Sequence, residues 1–125
     1  MTSPVFIEED IIFSYTRNDA IRDGMIIDIS DTAKELGFSV PVGVTSAVWH
    51  IIEKKPDDQD LPGRVWDLLW MLHFKLKLSR ERTDTVLFSV LMQSGRKKKW
   101  VFKAVIAASD PTGNPAITIM LPDED

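Results

Sequence analysis

Three consecutive runs of alternating side chains close this chain, and they restrict its fold more than any other feature. Thr85 to Gln93, Trp100 to Ala108 and Ala116 to Leu121 are rich in β-branched and aromatic residues. Ser94-Gly95-Arg96-Lys97-Lys98-Lys99 and Asp110-Pro111-Thr112-Gly113-Asn114-Pro115 separate them with turn-forming residues. The spacing predicts an antiparallel meander with a cationic tip. Val86, Phe88, Val90 and Met92 share one face of the first strand. In the second strand Lys103 shares a face with Val101 and Val105, so that face reaches water and the sheet is covered mainly on the other.

Upstream, the pattern changes to short helices. Val5 to Phe13 reads as an edge segment or an ordered arm. Thr16 is positioned to cap a helix over Arg17–Asp23, with Asp19 at its third position and Gly24 past its end. Met25 to Ile29 reads as a strand, and Ser30-Asp31 starts a helix stopped by Gly37. Pro41 and Gly43 read as punctuation. Thr45 caps a helix to about Lys55, whose inward stripe is Val44, Val48, Ile51 and Ile52. Lys54 to Leu61 reads as an exposed loop. Asp60 then caps a helix to about Leu78, with Pro62 tolerated in its first turn. Val65, Leu68, Leu69, Leu72 and Leu76 make one stripe of this helix, and Trp66, Trp70, His73 and Lys77 an adjacent one. So apolar a girth predicts a largely buried central helix. The expected fold is one domain over residues 1–125. Its class is α+β, a two-layer sandwich of about four mainly antiparallel strands with helices packed on one face. The strand at 25–29 completes the sheet.

Composition excludes several chemistries. The 125 residues contain no Cys, which removes disulfides, thiolate catalysis and Cys-ligated metals. The first residues lack the basic and apolar regions of a signal peptide, and no apolar run approaches the roughly 20 residues of a membrane helix. A cytoplasmic protein without membrane contact is expected. The net charge of −4 hides an asymmetry: residues 1–62 hold twelve acids and five bases, and residues 63–125 seven acids and ten bases. Such polarity suits docking of a charged partner or head-to-tail self-association, or is simply a solvated surface.

Four constellations are candidates for chemistry or contact. Tyr15, Arg17 and Asp19 gather hydrogen-bonding groups at a helix start; they read as an anion-binding surface or as a capping turn. Trp66, Asp67 and Trp70, with His73, form a ligand or partner platform if exposed, and a second buried stripe if not. Arg96, Lys97, Lys98 and Lys99 before Trp100 read as a nucleic-acid-contacting tip or as a solubilising turn. His50, Glu53 and His73 have the types of a metal set, but no H-E-x-x-H motif joins them, so no metal is assigned. No phosphate-binding glycine loop or serine-nucleophile motif occurs, and no cofactor or catalytic residue is implied.

Four blocks stand out along the chain: Phe13-Ser14-Tyr15-Thr16-Arg17 with Ala20-Ile21, Asp23-Gly24 and Asp28, then Ala47-Val48-Trp49, then Gly63-Arg64-Val65-Trp66-Asp67-Leu68-Leu69-Trp70-Met71, and last Ala116 to Asp125. Together they resemble a small bacterial family of unknown function, often encoded on plasmids and other mobile elements. The resemblance covers nearly the whole chain from about Ile12, implies a bacterial cytoplasmic accessory protein, and implies no catalytic residues. The Lys54–Leu61 loop is shorter than the family leads one to expect. The expected function is therefore an interaction protein that contacts protein or nucleic acid and modulates a host or mobile-element system. The alternative is a small enzyme acting on a phosphorylated or nucleotide ligand, with Tyr15, Arg17 and Asp19 at the anion. A homodimer through the last strand is open if that strand lies at a sheet edge.

Overall fold

A computed structural model of the chain describes residues 15–79, 84–94, 96–108 and 113–124, with the backbone only at 94, 96 and 97. The expected arm over Val5–Phe13 and residues 110–112 of the second turn lie outside the described residues. Among the described residues nine elements follow one another: α1 (Arg17–Arg22), β1 (Ile26–Asp28), α2 (Ser30–Glu35), β2 (Val42–Thr45), α3 (Ser46–Glu53), α4 (Leu61–Leu78), β3 (Thr85–Ser94), β4 (Arg96–Ala108) and β5 (Pro115–Met120). The class is α+β, as expected.

The sheet differs from expectation. It has five strands in the order β1-β2-β5-β4-β3, and it is mixed, because β2 runs parallel to β5. The C-terminal meander is present: β3 pairs with β4, and β4 with β5, both antiparallel. β1, however, sits at the far edge and reaches the meander only through β2. The β2 segment is the one read as punctuation and the start of a helix. Val42, Gly43 and Val44 are all buried, so the strand shows no alternation to read. Thr45 does cap the helix that follows, accepting from the Val48 N–H, but α3 ends at Glu53 and Val44 belongs to the sheet.

β5 lies inside the sheet, bonded to β2 on one side and β4 on the other. Pairing of two copies through Ala116–Leu121 is thereby excluded. The ladder between β3 and β4 continues to Ser94↔Arg96, so the four cations belong to β4 and not to a turn.

The core forms between one sheet face and three helices. Phe88, Val90, Phe102, Ala104, Ile117 and Ile119 meet Val65, Leu68, Leu69 and Leu72 of α4, Val48 and Ile52 of α3, and Ala33 of α2. Each fully buried Leu contributes roughly 1.5–3 kcal/mol of transfer free energy. α1 serves the other face. Its Arg17 guanidinium donates to Thr118 Oγ1 and, at 2.8 Å, to the Ile117 carbonyl. Gly43 permits this crossing, since a Cβ there would lie 2.6 Å from Ile26 Cγ2 and 2.9 Å from Arg17 Nη2.

Candidate docking face

α4 starts where the sequence requires. Asp60 Oδ1 accepts from the Gly63 N–H at 2.8 Å, and a Cβ at Gly63 would approach that oxygen to 2.5 Å. Lys75 and Lys77 occupy the last turn, where the helix dipole favours cations. Val65, Leu68, Leu69 and Leu72 are buried against the sheet.

The other stripe of α4 is not buried, which corrects the expectation of a largely buried helix. Trp66 is 40% exposed, Trp70 50%, Phe74 50% and Leu78 63%, with Met71 beside them at 36%. Trp70 lies tilted against His73, with ring centroids 6.1 Å apart; His73 in turn meets Phe38 at 5.6 Å. The stripe is the row i, i+4, i+8, i+12, so its members stand one above the next over about 18 Å of helix. Sequence reasoning picked out Trp66, Asp67 and Trp70 but missed Phe74, Leu78 and Met71. Their fourfold spacing from Trp66 and Asp67 was the available signal.

Beside this face lies one buried cation that sequence reading also missed as a functional position. Arg64 is 3% exposed. Its Nη1 donates to Gln59 Oε1 at 3.0 Å and to the Gln93 carbonyl, and its Nη2 to the Ile51 carbonyl at 3.1 Å. Among the described residues its Nε has no partner. Burial lowers the arginine's pKa and Asp67 acts in the opposite sense. A cavity of about 300 Å³ lies against Arg64, Asp67 and Val90–Gln93. The guanidinium therefore fastens α4 to the end of α3, to the 54–60 loop and to β3.

The remaining candidates are engaged locally. Thr16 and Asp19 form a reciprocal cap: the Asp19 N–H donates to Thr16 Oγ1 at 3.0 Å, and the Thr16 N–H to Asp19 Oδ2 at 3.1 Å. Tyr15 donates to Asp23 at 2.9 Å. Arg17 points away from both, onto the sheet. Burial lowers its pKa and Asp28 raises it. These three residues do not converge on one ligand position. At the cationic strand, Lys98 Nζ covers the Trp100 ring at 3.9 Å, and the Trp100 indole donates to the Met92 carbonyl at 3.1 Å. The side chains of Arg96 and Lys97 lie outside the described set. His50 and Glu53 are on α3 and His73 on α4; among the described residues no three His, Asp or Glu side chains gather where they could hold a metal ion. None of the described helices is long and apolar enough to cross a membrane.

Comparison with known proteins gives a family assignment without a chemistry. The profile of a family of unknown function (DUF6573) matches residues 2–125. No curated protein and no solved structure matches the chain.

Proposed function

We propose, for a chain that belongs to the DUF6573 family of unknown function and so inherits no assigned chemistry, that it works as an interaction module whose contact surface is the outer face of α4. The observation that carries this reading is the exposure of Trp66, Trp70 and Phe74 on a helix whose opposite face already supplies the core. All three lie outside the buried core cluster. Contiguous apolar surface on that scale is characteristic of sites that meet another molecule. Aromatic side chains also dominate the energetics of protein interfaces.

A protein partner suits the face better than a nucleic acid. The row next to the aromatic stripe carries Asp67 as well as Lys75, where a phosphate-tracking surface would carry cations throughout. Trp100, the aromatic beside the cationic run, already lies under Lys98. The setting implied by the sequence resemblance, a bacterial accessory protein of mobile elements, suits a modulator that acts by binding. The alternative of an enzyme on a phosphorylated or nucleotide ligand would need a free Arg17, and both its Nη groups already donate to β5.

Site-specific photocrosslinking tests the reading. Benzoylphenylalanine placed at position Phe74, with a control at the exposed Lys34 of α2, is activated in cells of the native host. A discrete adduct at Phe74 and none at Lys34 is expected. No adduct at either position, or equal smears at both, would overturn it.

A further inference from the structure

We infer that the partner on the outer face of α4 is a second copy of this chain, laid antiparallel across the first. The inference rests on the reading of α4 as a docking face and names its occupant.

Two adjacent rows of the helix carry the argument. The first is Trp66, Trp70, Phe74 and Leu78; the second is Asp67, Met71 and Lys75. A two-fold axis brings a patch against itself with its direction reversed, so the patch must be complementary to its own reverse. The first row meets this condition: reversal sets Trp66 level with Leu78 and Trp70 level with Phe74, apolar against apolar throughout. The second meets it in charge. Reversal places Asp67 of one copy by Lys75 of the other, with Met71 near the axis. Asp67 and Lys75 are both exposed, and neither has an ion pair among the described residues.

The area is of the right order. With 150–250 Å² for a whole aromatic side chain, the exposed fractions of Trp66, Trp70, Met71, Phe74 and Leu78 amount to roughly 500 Å² of apolar surface per copy. A standard interface takes about 800 Å² from each partner. The charged flanks supply the polar rim.

Mass measured by analytical ultracentrifugation across a hundredfold concentration range tests this. The unmodified chain is expected to reach twice its monomer mass, and Trp70→Ala with Phe74→Ala to remain monomeric. Lys75→Asp alone, and Asp67→Lys alone, should each weaken dimerisation about tenfold, since each turns two attractive contacts into two repulsive ones. The double variant should recover to within about twofold. Asp67 also lies near Arg64, so circular dichroism accompanies each variant, and Lys75→Asp supplies the swap that leaves Arg64 untouched. A monomer at every concentration overturns the inference, as does a dimer indifferent to Trp70 and Phe74. A double variant as weak as the singles overturns the antiparallel register. If the chain is monomeric while Phe74 still crosslinks a different protein, self-pairing fails and the docking reading stands. If it is monomeric and Phe74 gives no adduct, both fail.

Discussion

Arg17 and Gly43 form a pair that neither sequence position announces alone. Glycine lets β2 pass beneath the guanidinium, and the guanidinium in turn ties α1 to β5, a hundred residues away in the chain. Gly43→Ala should destabilise the protein by about 1–3 kcal/mol, because the Cβ must displace Ile26 or the arginine. The same change in an Arg17→Ala background should cost less, with a coupling of about 1 kcal/mol in a double-mutant cycle read by urea unfolding. Asp19 supplies a pH dependence at the same end of the fold. Hydrogen bonding from the Thr16 backbone N–H, then from its side chain, holds this carboxyl below its ordinary value, with Arg22 assisting. The cap is therefore complete above the usual aspartate range and is lost as pH falls through the depressed folded value. Amide exchange at Ala20 and Asp23 should speed up over that acid window and lose this dependence in Asp19→Asn. Tyr15, Arg17 and Asp19 were legible in the sequence as a polar cluster. Their divergence was not, because only the tertiary fold shows that Arg17 turns towards Thr118 while Asp19 turns back on Thr16.

Elements were legible in proportion to their periodicity. The meander and α4 carry repeats of two and of three to four over many residues, and they lie close to where the pattern put them. β2 was invisible for a physical reason. It is four residues long, is preceded by Pro41, contains a glycine, and is buried on both faces. Missing it removed the strand that joins β1 to the rest, which made the sheet look antiparallel and left an edge position open for β5. The face of α4 was ambiguous for a different reason. Two apolar stripes lie side by side on the helix, and their spacing cannot say which of them meets the sheet. Packing decides in favour of the leucine stripe and leaves the tryptophans outside. Arg64 secures that choice by joining α4 to three neighbouring segments through carbonyl oxygens. Arg64→Ala leaves the Ile51 and Gln93 carbonyls without this donor and should cost about 2–4 kcal/mol in urea unfolding. Arg64→Lys should recover only part of that, since one ammonium cannot span the same set of acceptors.

At the scale of the whole molecule the described residues leave an apolar surface uncovered on α4. The buried core cluster does not include Trp66, Trp70, Met71 and Phe74, which keep between 36% and 50% of their surface exposed. Their presence on one helix face is the reason to read this protein through what it touches. The prediction at this scale concerns solvent access. Hydroxyl-radical footprinting reads it side chain by side chain, on the dilute purified chain and inside cells of the native host. Trp66, Trp70, Met71 and Phe74 should react readily in dilute solution and be protected at least fivefold in the cell, while exposed Met25 on the opposite flank reacts alike in both. Equal reactivity of the α4 residues in the two settings would contradict the account.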